Sequence, residues 1–407
     1  MPRAFYLILA VQFISTLADN AFLIVAIARV AELSGPLWLV PLLKISFNFF
    51  YVVLAPFVGA LSDTLPKGRV MLLSNGCKVM ALLALLHGVD PALAISLVGL
   101  GSAMYAPAKY GLITELLPPQ QLVQANGFFE GATVCAVLSG TVVGGVLVSA
   151  LMPTLHFGPV LAAWLPVHSA LLGGMLGLLL LNLVALVLSV AVGDSGARYD
   201  PHSFHPRILL DRFLRENRLL WRDADGGMSM AVTTLLWGVA ATLQLIVLRW
   251  AHEVFGLPLS QAAYMQGLTA LGVIAGAMLA SRWVRLERAA DVLPLGMVLG
   301  LLTALLLLTP DVRWAALLLV CVGGVAGFFL VPMNALLQHR GCTLLTAGRS
   351  IAVQGFNENA GMLGILALYA AAVALGLPLP LLVAGFALFT SAGMALVFVA
   401  RRRQRAR

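Results

Sequence analysis

Residues 5–31 read FYLILAVQFISTLADNAFLIVAIARVA, an apolar run broken near its midpoint by Asp19-Asn20. At 1.5 Å per residue, a run of this length crosses a hydrocarbon core of about 30 Å as a single helix. An acid at the middle of such a helix is costly unless it faces a partner or water. Asp19 is therefore either part of a transport path or a buried carboxylate that holds helices together. The rest of the 407-residue chain repeats the pattern, being 61% hydrophobic and 10% charged, whereas a soluble domain carries about 25% charged residues. The chain is a membrane protein. Its formal charge of +8 comes from arginines gathered in short segments between apolar runs, the pattern of cytoplasmic loops rather than of a nucleic-acid-binding surface.

Apolar windows predict about twelve spans, near 5–31, 37–61, 69–88, 92–117, 121–150, 169–192, 228–252, 259–284, 291–309, 314–338, 345–373 and 379–400. Lys67 and Arg69 follow the second span. Arg282, Arg285 and Arg288 follow the eighth, and His339, Arg340 and Arg349 follow the tenth. Arg401, Arg402, Arg403, Arg405 and Arg407 form the tail. The opposite loops LSGP, GVDP and LGLPLP carry no Lys or Arg, so both termini are expected in the cytoplasm. The N-terminal run is too long for a signal-peptide core, so the first span is expected to be retained. Cys77, Cys135, Cys321 and Cys342 have no CxxC spacing and are expected to be packing residues.

One polar segment, GDSGARYDPHSFHPRILLDRFLRENRLLWRDADGG (193–227), divides the spans six and six. The expected organisation is therefore a bundle over 1–192, a cytoplasmic linker over 193–227, a second bundle over 228–400 and a basic tail over 401–407. Within the linker, Leu210, Phe213, Leu214 and Trp221 suggest either a helix lying on the inner leaflet or a solvated connector. The halves look related. VGLGSAMYAPAKYG (98–111) and NGFFEGA (126–132) correspond to VGGVAGFFLVPMNAL (322–336) and QGFNENAG (354–361), matching Pro107 to Pro332, Lys109 to Asn334 and Glu130 to Glu358. A duplicated bundle with sites near the bilayer midplane is a transporter architecture. The fold class is thus an all-α membrane protein of two six-helix pseudo-repeat halves.

GALSDTLPKGR (59–69) resembles the loop signature of the major facilitator superfamily, with Pro66 where that family usually has Gly and Thr64 where it usually has Arg. The resemblance implies a gating set of Gly59, Asp63, Lys67, Arg69 and Arg349, with Asp63 meeting the cytoplasmic end of the eleventh span. The second-half equivalent, GAMLASRWVR (276–285), keeps the glycine and the basic residues and lacks the acid. More closely, FISTLADNAFL, FVGALSDTLPKGRVMLLSNGCK, MYAPAKYGLITELLP and LVQANGFFEG are similar to the bacterial lysophospholipid transporters of that superfamily, most densely from Gln12 to about Gly145. That resemblance implies an inner-membrane protein carrying lysophosphatidylethanolamine and lysophosphatidylglycerol to the cytoplasmic leaflet for reacylation. It also implies an acyltransferase/acyl-carrier-protein synthetase partner. The chain ends shortly after the twelfth span, so that enzyme is expected to be a separate polypeptide.

A lysophospholipid offers one acyl tail, a phosphate, a free hydroxyl and, in the ethanolamine form, an ammonium. Its site needs an apolar wall, a cation and a hydrogen-bond acceptor. Asp19, Asn20, Lys109, Tyr110, Asn126, Glu130, Asn334 and Glu358 are the candidate substrate-binding residues, with Asp19 expected to face Lys109. Other polar residues within spans, including Gln12, Lys44, Lys78, Gln244, Arg249 and Asn357, read as helix-to-helix hydrogen bonding, snorkelling or part of the path. Glycines 140, 144, 145, 272 and 276 allow close helix approach. Absence of GxxxxGK[ST], HExxH and paired Cys/His spacing predicts no nucleotide, metal or other cofactor and no enzyme activity. The arginine tail reads as an inner-leaflet anchor, with membrane lipids and not nucleic acid as its partner. The alternative function is proton-coupled export of small amphipathic compounds, since an intramembrane Asp and Glu also carry protons.

Overall fold

The structure, a computed structural model, describes residues 1–34, 39–148, 171–197, 199, 205–257 and 259–405. Among these residues the chain forms fourteen α-helices and no strand. They are α1 (Arg3–Glu32), α2 (Leu39–Val53), α3 (Ala55–Thr64), α4 (Lys67–Leu86), α5 (Pro91–Leu116), α6 (Leu122–Leu147) and α7 (Leu172–Val190). The chain continues through α8 (Pro206–Arg222), α9 (Ala224–Phe255), α10 (Leu259–Trp283), α11 (Pro294–Leu305), α12 (Val312–Leu344), α13 (Ala347–Ala374) and α14 (Leu379–Arg405). Ten helical segments among the described residues are long and apolar enough to cross a membrane, and the bent pair α2/α3 makes an eleventh. α13 is less apolar because of Asn357-Glu358-Asn359. Its 28 residues still extend about 42 Å at 1.5 Å per residue, enough to span. Among the described residues each of the twelve predicted spans thus overlaps a helix or helix pair, while positions 37–38, 149–150 and 169–170 of those spans lie outside them.

The second span departs from the expected single helix. Ile45–Val53 and Ala55–Thr64 meet at an angle of 66°, and Pro56 lies in the first turn of α3. Proline lacks an N–H and crowds the preceding turn, so the helix breaks just before it. Pro107 and Pro332, matched in the two halves, instead sit inside the continuous helices α5 and α12. Acidic caps mark several helix starts. Asp90 accepts from Ala92 N at 2.8 Å, Asp223 from Gly226 N at 2.7 Å, and Asp311 from Arg313 N and Trp314 N at 2.8 and 3.0 Å. Each satisfies orphan donors of a first turn.

The chain forms two compact units. The first contains residues 1–116, 135–213 and 346–352. Its core joins Phe22 and Val25 of α1 to Leu82 and Leu85 of α4, Val98 of α5 and Leu178 of α7. Gly140 and Gly144 lie so close to α1, against Leu17, Asn20, Ala21 and Ile24, that a Cβ on either would collide. Gly145 meets nothing, so it takes no part in that approach. The second unit contains residues 117–134, 214–345 and 353–407. Here Gly272 and Gly276 of α10 face Val320, Gly324 and Phe328 of α12, while Gly323 and Gly327 face Thr269 and Val273. Backbone meets backbone, the small-residue packing of membrane helices.

In the linker helix α8, Leu209, Phe213 and Leu220 are buried, while Leu210, Leu214 and Trp221 are exposed. The four residues expected to share a face therefore divide between two. The Trp221 indole donates to Asn357 Oδ1 at 2.9 Å, and Asn357 donates to Asn217 Oδ1 at 2.8 Å. The cysteines are free, and Cys321 is exposed rather than packed.

Candidate functional site

In the first unit, α1, α4, α5 and α7 bring polar side chains into an otherwise apolar bundle. Asp19 lies one turn beyond Ser15 on α1, and Lys78 one turn beyond Asn75 on α4, so each helix presents two polar residues on one face. Lys78 Nζ donates to Asp19 Oδ2 at 2.6 Å and to Ser15 Oγ at 2.8 Å. Ser102 of α5 donates to the same Asp19 oxygen at 3.0 Å. Ser15 donates to Asn75 Oδ1 at 2.9 Å, and Asn75 donates to Ser189 Oγ of α7 at 2.8 Å. Lys78 is 1% exposed, so its charge is held by this network rather than by water. The ion pair expected between Asp19 and Lys109 is made by Lys78 instead, because α4 packs that face toward α1.

Lys109 is also buried, at 6% exposure, with its ammonium 4.0 Å from the Tyr110 ring centroid and 5.9 Å from that of Tyr105. Two atoms here are buried without a hydrogen-bond partner among the described residues, Asp19 Oδ1 and the Tyr105 hydroxyl. The acid thus faces lysine with one oxygen and keeps the other as an open acceptor. Asn20 turns its amide back to Thr16 O at 2.9 Å.

A second cluster of this unit forms around the loop signature. Asp63 accepts from Thr346 Oγ1 and, at 3.0 Å, from Gly348 N at the start of α13. Arg349 Nε lies 3.6 Å from Asp63 Oδ2, and Lys67 Nζ lies 3.7 Å from Oδ1. Lys67 also pairs with Glu115 at 2.5 Å, and Glu115 accepts from Tyr199 at 2.7 Å and Ser195 at 2.5 Å. Two acids and two bases therefore balance. The approach depends on Gly59 and Gly348, since a Cβ on Gly59 would press on Arg349 and Ala352, and one on Gly348 on Asp63 and Ser62. Arg69, assigned to the same set, is exposed.

In the second unit the carboxylates are joined through amides. Asn334 donates to Glu130 Oε1 at 3.2 Å, and Gln354 donates to Asn334 Oδ1 at 3.1 Å and to Glu358 Oε1 at 2.8 Å. Asn126 exchanges two hydrogen bonds with Gln338, at 2.8 and 3.0 Å. Its amide ties α6 to α12. Glu130 borders a cavity of about 400 Å³ lined by α6, α9, α10, α11, α12 and α13, whose walls are mostly Val, Leu and Ala.

The structure thus brings together Asp63 with Lys67 and Arg349, Lys109 with Tyr110, and Glu130 with Asn334. Sequence reasoning missed Ser15, Asn75, Ser102, Glu115, Ser189, Gln338 and Gln354 as members of these networks, and placed Lys78 only among span polar residues. The i, i+4 pair Ser15/Asp19 beside the i, i+3 pair Asn75/Lys78 was the available signal. The Lys44 side chain lies outside the described residues.

A profile of the Major Facilitator Superfamily matches residues 8–358. Proteins named lysophospholipid transporter LplT from Yersinia enterocolitica and Yersinia pestis are each 36% identical over 379 residues, covering 93% of this chain and 89% of theirs. Among solved structures, the human organic anion transporter MFSD10 superposes with a TM-score of 0.73 at 14% identity, covering 98% of this chain and 100% of that one. The E. coli fucose:proton symporter FucP gives 0.73 at 14% identity and 98% coverage of both chains. At these identities the solved structures speak to fold alone.

Proposed function

Since the chain belongs to the major facilitator superfamily, and within it to the family of the lysophospholipid transporters it matches, we propose that it moves lysophosphatidylethanolamine and lysophosphatidylglycerol across a bacterial inner membrane to the cytoplasmic leaflet. The observation that carries this reading is the 36% identity over 93% of the chain to transporters so named. The first unit has what such a headgroup needs. Lys78 and Lys109 are the cations for a phosphate, and the open oxygen of Asp19 is the acceptor for an ammonium or glycerol hydroxyl. In the empty protein the Asp19–Lys78 pair neutralises itself. The zwitterionic ethanolamine headgroup entering between them exchanges one ion pair for two, and the glycerol headgroup sets its phosphate against the lysines and a hydroxyl against Asp19.

In this reading Asp63 is a cytoplasmic latch. Its carboxylate sits at the start of α13, where a helix N-terminus favours negative charge, and Arg349 adds a charged partner. The basic loops favour a topology with both termini and the linker in the cytoplasm. A separate acyltransferase/acyl-carrier-protein synthetase would consume the delivered lipid.

Labelled lysophosphatidylethanolamine added to proteoliposomes tests the function. Uptake of unchanged lipid is the expected result. Its conversion would make the protein an enzyme, and no movement would favour the proton-coupled exporter. Thiol labelling of the linker from the periplasmic side of intact cells would overturn the topology.

A further inference from the structure

The cavity of the second unit has a shape that the headgroup chemistry does not use. Along α9 its lining runs from Leu236 to Val247, eleven positions apart, or about 16 Å at 1.5 Å per residue. One leaflet's acyl chain occupies half of a hydrocarbon core of about 30 Å, so the cavity is as long as one such chain.

The walls fit that occupant. On α12 the lining residues Val322, Ala326 and Leu330 recur every four positions, one apolar stripe along the slot. Leu330 is one turn from Asn334, which is bonded to Glu130, so Glu130 closes that end. At the other, Gln266 Nε2 donates to the Gln244 backbone carbonyl at 2.7 Å. Glu130, Gln244 and Gln266 are the charged and amide residues of the lining, Trp237 and Thr269 add one polar atom each, and the remaining walls are apolar.

We propose that this slot is the acyl-tail chamber, taking the lipid's hydrocarbon chain along its length. The inference rests on the lysophospholipid reading and deepens it by assigning the tail to α9, α10 and α12. Association here is driven by fit, because a membrane tail leaves surroundings as apolar as those it enters.

Ala240 and Ala326 line the slot, so Ala240→Phe and Ala326→Phe shorten it, while Leu388→Phe adds the same kind of bulk at an exposed position on α14. In proteoliposomes, uptake of palmitoyl lysophosphatidylethanolamine should fall about tenfold or more in either slot variant, the scale on which overfilled sites respond. Uptake of the octanoyl form should stay within about twofold, and Leu388→Phe should leave both unchanged. Equal loss of both lipids in slot variants whose Tm matches the wild type, or loss of neither, overturns the chamber. A palmitoyl analogue with a photoreactive terminal carbon supplies a readout independent of transport. Adducts on α9 between residues 236 and 247 support the chamber, and adducts only elsewhere overturn it. Adducts there without any uptake by the wild type would overturn the transport reading and leave the chamber standing.

Discussion

In the first unit two buried carboxylates are held by cations, Asp19 by Lys78 and Asp63 by Lys67 and Arg349. In the second, Glu130 and Glu358 are reached by the amides of Asn334 and Gln354 beside an apolar slot. The difference separates two tasks. An ion pair costs most to break by halves, yet a zwitterion can replace it without leaving a bare charge. An amide network holds helices at a smaller cost and leaves room for hydrocarbon. The loop signature shows the same asymmetry. Gly59 leads to the charged Asp63 cluster, whereas Gly276 leads through Ala277 and Ser281 to close packing on Gly127.

The largest effect should come from unbalancing the first unit. Lys78→Met leaves Asp19 buried without its cation and should cost about 3–5 kcal/mol, the usual result of removing one member of a buried pair. Thermal unfolding in detergent measures it, and a Tm equal to the wild type would erase the contrast between the units. Asp63→Asn comes next. It keeps the shape while removing the charge facing Lys67 and Arg349, for about 1.5–3 kcal/mol, and it should shift the inward/outward population in a cross-linking assay. An unchanged population would remove the latch.

Asn126→Leu in the second unit should cost about 1–2 kcal/mol by orphaning Gln338, whereas Asn126→Leu with Gln338→Leu should be nearly neutral. A large cost in the double variant would mean that this pair does more than join two helices.

The smallest effect lies at Asp223, whose hydrogen bonds from Arg340 hold its carboxyl below the usual carboxylate range. A depressed pKa contributes stability that is present above the unfolded value, near 3.9, and lost as pH falls through the lower folded value. The pair is partly exposed and therefore screened by solvent, so it is worth about 1 kcal/mol. The Tm gap between wild type and Asp223→Asn should be constant at neutral pH and close below about pH 4. A gap that widened on acidification would contradict the assigned sign.

The spans were legible because nearly every apolar run has the length a bilayer demands, the eleventh being the exception because of Asn357-Glu358-Asn359. Asp63 could be assigned to the start of α13 only through the resemblance carried by GALSDTLPKGR. The partner of Asp19 was not legible. Lys78 and Lys109 are both single cations in apolar helices, and which one faces α1 depends on helix rotation, fixed by packing partners far away in sequence. The break before Pro56 had its signal in the proline itself. The cavity had none, since its walls are Val, Leu and Ala positions that read as ordinary core until six helices bring them together.

An Asp19–Lys78 pair that is exchanged for a headgroup behaves differently from one that serves only to hold α1 to α4. The double variant Asp19→Asn with Lys78→Gln keeps hydrogen-bonding side chains at both positions and removes both charges. Its melting temperature and its uptake of labelled lysophosphatidylethanolamine, measured on the same preparation, separate the two roles. The account predicts a Tm near the wild type, well above that of Lys78→Met, with transport lost. Full transport by a stably folded double variant would contradict it.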